Sequence, residues 1–261
     1  MDKPRLVLLV LHGMGVNDPD YYRGLEAGLR KRLGKQWDDC TLQAVNYAPI
    51  FQNREEKLWL GMLAEPANKL SWRFAREFLI YRLADASAFE RSYHVERPTY
   101  DAVMAYIEDK LKSGFEACGW HPDTRLVVMA HSLGGQVFSS YAWDHLKDSD
   151  KGNDTEPSPY LAHWRRFLTF GCNIPLFTAG LEKRLNFEAP HTDFAWHNCY
   201  DPDDVLGWPL RQLDPSYEIV QDHPINVGSF GTGWTPMCHT AYWADDGMLD
   251  LFAREIELAL D

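Results

Sequence analysis

Leu126-Val127-Val128-Met129-Ala130-His131-Ser132-Leu133-Gly134 is an apolar run that passes abruptly into a helix-like stretch, with a serine at the change of direction. The apolar residues read as a buried strand, and a strand that turns sharply into a helix strains the backbone at the turn. Small residues two positions before and after the serine let neighbouring backbones approach it closely. Ala130 and Gly134 hold those positions. Glycine is usual at both, and the methyl group of Ala130 is the smallest departure from it. Ser132 is thus a candidate nucleophile.

Similar short apolar runs recur along the chain with helical stretches between them: Leu6 to Leu11, Leu42 to Tyr47, Leu126 to Ala130, Phe167 to Phe170, Phe194 to Tyr200 and Ile225 to Val227. Such alternation predicts an α/β fold, with a mostly parallel sheet of about six strands flanked by helices. The covering helices show as apolar stripes at Tyr22, Leu25, Leu29 and Leu33, at Val103, Tyr106, Ile107 and Leu111, and at Leu249, Phe252, Ala253, Ile256 and Leu260. Asp148 to Pro159 reads as a polar surface excursion. Residues 51–98 break the pattern, since two helical periodicities follow one another without a strand, and they are read as an inserted helical cap. On a helix from Leu70 to Leu83, Leu70, Phe74, Phe78 and Tyr81 share one face, while Trp72, Leu79 and Leu83 fall nearly opposite. Two apolar faces fit either a helix packed on both sides or a lid whose second face meets an acyl chain.

A length of 261 residues suits one domain spanning 1–261. The net charge of −12 opposes attraction to nucleic acid or an anionic membrane. Leu6 to Leu11 is too short for a signal-peptide core or a membrane span. Five scattered cysteines without a CxxC pair imply neither a disulfide scaffold nor a zinc site, and a reducing cytoplasm is expected. No cofactor or metal is implied.

A serine hydroxyl attacks poorly unless an imidazole takes its proton and a carboxylate fixes that imidazole. Beyond the strand-like Phe194 to Tyr200 lies Asp201-Pro202-Asp203-Asp204, and only His223 and His239 of the ten histidines follow it. Clustered aspartates also cap and turn the chain, so Asp201, Asp203 and Asp204 all stand as candidates. His223 precedes a proline and an apolar stretch. His239 follows the glycine-rich Gly228 to Trp234 and precedes a helix, where a loop can carry a base over the nucleophile. His131 is disfavoured because neighbouring side chains on a tight turn point apart. Cys172, Cys199 and Cys238 read as buried thiols.

The elbow AHS-x-GG resembles that of small bacterial lipases, and from His12-Gly13 to His239 the chain resembles alpha/beta hydrolases of lipase/esterase type. The resemblance implies the order serine, acid, histidine. It also implies a small member without the antiparallel first hairpin of larger relatives. Asp204-Val205-Leu206, with Trp208-Pro209-Leu210 after it, is similar to the Asp-Pro-Val stretch of lipases that include the DDHD-domain phospholipases, which favours Asp204 as the acid. His239-Thr240-Ala241-Tyr242-Trp243 is similar to a His-x-x-Tyr-Trp ending of lipase-like hydrolases and favours His239. The oxyanion donors implied are the N–H groups of Leu133 and, in the His-Gly-x loop His12-Gly13-Met14-Gly15, of Met14. The activity implied is hydrolysis of a carboxylic ester with an apolar acyl group, or of a lipid-like substrate. Thioesters, amides and phospholipids would use the same machinery. The reading from another class is a binding module that keeps the fold without the chemistry.

If the cap roofs an acyl pocket, each buried methylene contributes about 0.8 kcal/mol. Medium-chain p-nitrophenyl esters should then outrun the acetate by tens-fold in kcat/KM. Trp72→Ala and Leu79→Ala should narrow that gap more than they slow acetate turnover. Equal loss on all chain lengths together with a lower Tm would mark both side chains as plain packing.

Overall fold

Six consecutive apolar side chains, all fully buried, form the strand Leu6–Leu11 (β1). Side chains of a strand alternate between faces, so a run without polar residues requires cover on both sides of the sheet. Val7, Leu9 and Leu11 enter one apolar core, and Leu6, Leu8 and Val10 enter the other. Burying side chains of this size contributes about 1.5–3 kcal/mol each.

The computed structural model describes residues 3–13, 18–50, 98–146, 157–227 and 238–261. The further strands are Cys40–Val45 (β2), Arg125–His131 (β3), Trp164–Phe170 (β4), Ala195–Tyr200 (β5) and Val220–Pro224 (β6). All pair in parallel, in the order β2-β1-β3-β4-β5-β6. The helices are Arg23–Leu33 (α1), Pro98–Ala117 (α2), Leu133–His145 (α3), the short Ile174–Thr178 (α4) and Asp246–Leu260 (α5). Leu25, Leu29 and Leu33 of α1 join Phe252 and Ile256 of α5 on one face. Val103, Ile107 and Leu111 of α2 join Val137 and Phe138 of α3 on the other. The result is a six-stranded parallel sheet flanked by helices. The cap proposed for 51–98 lies outside the described residues apart from Pro98, which opens α2. Met14, Trp72, Leu79 and Leu83 also lie outside them.

One strand differs from the expectation. The sixth is Val220–Pro224 and not Ile225 to Val227, although the Ile225 N–H still donates to the Tyr200 carbonyl at 2.9 Å. Hydropathy misses β6 because Gln221, Asp222 and His223 are polar. Gln221 is exposed, and the other two find partners outside the strand: Asp222 accepts from Asn198 Nδ2 at 2.7 Å and from the Arg211 N–H at 2.9 Å, and His223 is hydrogen-bonded to His197 at 2.9 Å. Among the described residues, β6 pairs only with β5, and a proline is tolerated at the end of such an edge strand.

Helix α5 begins at a true cap, Asp245, whose carboxylate accepts from the Met248 N–H at 2.8 Å. Arg32 ties α1 to it through Asp246 at 2.6 Å and Asp250 at 2.5 Å. Glu255 interrupts its apolar face. Although 4% exposed, it meets Arg166 at 2.9 Å and His197 at 3.3 Å. Burial opposes the Glu255 carboxylate, but the hydrogen bonds and charges of His197 and Arg166 outweigh it and hold its pKa below the usual range. Among the described residues, no helix is long and apolar enough to cross a membrane, and no group of three or more His, Cys, Asp or Glu is placed to hold a metal ion.

Removing one member of a buried ion pair strands the other. Glu255→Ala should therefore cost about 3 kcal/mol or more in denaturant unfolding. The double variant Glu255→Leu with Arg166→Met should recover most of that loss. Equal stability of the single and double variants would show that the stranded arginine is not the cause.

Candidate active site

The chain runs from β1 outward to β2 and then returns past β1 to β3, so strand order reverses between β1 and β3. Loops beyond the carboxyl ends of the strands diverge at such a reversal and leave a crevice. His12 and Gly13 leave β1 there, and Ser132 leaves β3.

Ser132 has φ +53° and ψ −122°. Among the described residues, only Trp120 and Ser132 are non-glycine with positive φ. Such a conformation costs on the order of 1–3 kcal/mol and needs support from its surroundings. The Ser132 N–H donates to the Phe170 carbonyl at 3.0 Å, and the Ser132 carbonyl accepts from the Gly135 N–H at 3.0 Å. A Cβ on Gly13 would lie 2.8 Å from the Ser132 Cβ, and one on Gly134 would lie 2.7 Å from the His12 carbonyl oxygen. Neither loop could close around the serine with a larger residue. Ala130 is fully buried in register with Leu11, and its methyl is accommodated.

Three buried side chains meet at this point. His239, on the 3₁₀ turn Cys238–Ala244, has Nε2 2.7 Å from Ser132 Oγ and Nδ1 2.7 Å from Asp204 Oδ2. Ser132, His239 and Asp204 are 0%, 1% and 4% exposed. Burial would raise the Asp204 pKa, yet the hydrogen bond and charge of His239, the Leu206 N–H and the Tyr242 hydroxyl together hold it below the ordinary value. An ionised Asp204 is an acceptor only, so Nδ1 carries the proton toward it and Nε2 is left to accept from the serine hydroxyl. This arrangement can pass the Oγ proton to an imidazole and stabilise the imidazolium that results.

The other candidates fall elsewhere. Asp201 builds its own turn, accepting from the Asp203 N–H at 2.8 Å and the Val227 N–H at 2.6 Å. Asp203 is exposed. His223 lies within β6 against His197, and burial followed by the His197 charge lowers its pKa. His131 Nε2 donates to the His239 carbonyl at 2.7 Å, so this ring braces the loop that carries His239. Cys172 and Cys199 are fully buried, and burial pushes each thiol up to about 12. The Cys238 side chain lies outside the described part of the structure. Leu133 opens α3, so its N–H is a first-turn donor that no carbonyl of the helix can accept.

Two contributors were not singled out from sequence. Tyr242 is fully buried, donates to Asp204 Oδ2 at 3.0 Å and accepts from the Asp201 N–H at 2.8 Å. Burial and the Asp204 charge raise its pKa, keeping the phenol protonated as a donor. Its spacing of three from His239 was the available signal. Asn173, fully buried after β4, donates through Nδ2 to Ser132 Oγ at 3.2 Å. No pattern in the sequence marks it.

No protein-family model matches the chain, and no curated protein matches it. Among solved structures it is similar to an acetylxylan esterase, with 11% identity, a TM-score of 0.48 and 100% of both chains covered. It is also similar to a cutinase-like protein from Cryptococcus sp., with 12% identity, a TM-score of 0.45 and coverage of 100% of this chain and 98% of that one. Neither likeness bears on which residues act or on what substrate.

Because the folded-state pKa of Asp204 is depressed, the stability it contributes is complete above the ordinary aspartate value of about 3.9 and is lost as pH falls through the lower folded value. Tyr242→Phe removes one donor, which should raise the folded value, so that less stability is lost on acidification and the loss ends at higher pH. The same change should cost about 1 kcal/mol at pH 7. Tm measured from pH 3 to 7 tests this, and superimposable curves for the two proteins would remove Tyr242 from the support of the carboxylate.

Proposed function

We propose that the protein is a serine hydrolase that cleaves a carboxylic ester through an acyl-enzyme, with Ser132 as nucleophile, His239 as general base and then acid, and Asp204 as the group that orients the imidazole. The observation that carries this reading is the unbroken Asp204–His239–Ser132 line, with 2.7 Å at both steps, ending on a serine at positive φ beside the strand reversal.

In acylation, His239 Nε2 takes the proton as Ser132 Oγ attacks the carbonyl carbon, and the Leu133 N–H receives the oxyanion. Met14 is assigned the second oxyanion donor from its sequence position directly after His12-Gly13. Collapse expels the alcohol, which is protonated by the imidazolium. Water then repeats the sequence to release the acid. Turnover must fall on acidification, because an imidazolium cannot accept a second proton. The substrate class is a small ester with an apolar acyl group, in keeping with the two apolar faces read in the 70–83 stretch.

Ser132→Ala should remain folded and lose ester turnover by roughly 10³-fold or more. A fluorophosphonate should label the wild-type protein and leave this variant unlabelled. His239→Ala should lose turnover as severely, and His223→Ala should not. Near-normal turnover by a folded Ser132→Ala protein would end this reading.

A further inference from the structure

Asn173 stands immediately before α4, where an asparagine side chain ordinarily accepts a hydrogen bond from the first-turn N–H groups. It makes no such bond. Its fully buried amide is turned to the serine instead, with Nδ2 donating to Ser132 Oγ at 3.2 Å. Its Oδ1 is also buried and has no hydrogen-bond partner among the described residues. A buried amide carbonyl left unsatisfied disfavours folding, and such groups call for a reason beyond packing. Resting on the serine-hydrolase reading above, we propose that Asn173 is a further catalytic residue. Its Nδ2–H stabilises the charge that gathers on Ser132 Oγ whenever the bond between Oγ and the acyl carbon is made or broken.

A hydroxyl has one proton and two lone pairs. The proton of Ser132 faces His239 Nε2, one lone pair accepts the Asn173 amide, and the other is left for attack. In acylation the proton passes to Nε2, the free lone pair forms the Oγ–C bond, and the carbonyl π pair moves onto the carbonyl oxygen. Collapse restores the carbonyl and sends the C–O bonding pair to the leaving alcohol oxygen, which takes the proton from Nε2. In deacylation, water gives a proton to Nε2 as its oxygen bonds to the acyl carbon. The C–Oγ pair then returns to Oγ, followed by the proton from Nε2. Asn173 transfers no proton in either half. It holds a fixed N–H dipole on the oxygen that gains and loses charge, in a site shielded from water where such a dipole acts strongly.

Asn173→Leu and Asn173→Asp are close in shape to asparagine, and both lack the donor. The leucine variant also removes the unsatisfied carbonyl. With p-nitrophenyl butyrate as substrate, kcat should fall by about 10- to 100-fold in both, with KM within about threefold of wild type. Labelling of Ser132 by a fluorophosphonate should slow in parallel, since it too requires attack by Oγ. The Tm of the leucine variant should be unchanged or raised, whereas a structural role would lower it. A kcat within twofold of wild type in either folded variant overturns the proposal, and so does failure of both variants to fold. Wild-type labelling separates the two levels of the reading. A wild-type protein that is not labelled brings down the serine-hydrolase assignment itself, whereas rapid wild-type labelling with unchanged variants removes only Asn173.

Discussion

The positive φ of Ser132 depends on its surroundings for support, and much of the molecule can be understood as that support. The Phe170 carbonyl takes its N–H, Gly135 returns a donor to its carbonyl, and two glycines allow the backbones on either side to close in. Each of these partners belongs to an element fixed by burial: β1 and β3 in the centre of the sheet, β4 alongside, and α3 leaving the turn. A conformation that costs on the order of 1–3 kcal/mol persists because β1 and β3 cannot shift without exposing many times that value of apolar surface. The turn is therefore as rigid as the centre of the sheet.

On the same terms, a buried carboxylate must be surrounded by donors. Asp204 receives the His239 ring, the Leu206 N–H and the Tyr242 hydroxyl, and Glu255 receives Arg166 and His197. The two clusters differ in what they leave open. The first ends on the Ser132 hydroxyl at the reversal of strand order. The second continues into a pair of imidazoles, His197 and His223, within the sheet.

Legibility in the sequence follows the kind of force involved. β1 and β3 were readable because a strand covered on both faces must be continuously apolar, and the helix stripes at Leu25, Leu29 and Leu33 followed from the same constraint. β6 was not, because its polar residues are satisfied by neighbours that only the folded sheet supplies. The cluster Asp201, Asp203 and Asp204 could not be divided on chemistry alone, since all three suit a turn. In the structure Asp203 is set apart by its exposure, and Asp204 is separated from the equally buried Asp201 by the proximity of a ring from 35 residues onward. Asn173 is a single polar residue before a short helix, and nothing local distinguishes it from an ordinary surface position, whereas Tyr242 was marked only by its spacing of three from His239. Glu255 lay on a face expected to be apolar, and its partner Arg166 is 89 residues away along the chain.

The separation in sequence between the serine and its imidazole also sets an order in time. His239 lies 107 residues after Ser132, on the turn that leads into α5. Synthesis runs from the N-terminus, and a domain folds as a unit. The residues of the turn therefore emerge before the ring that must face them. Until α5 packs beside α1 on the sheet, Ser132 Oγ lacks its imidazole partner. A nascent chain with this layout cannot complete the Asp204–His239–Ser132 line until the α5 segment has been made.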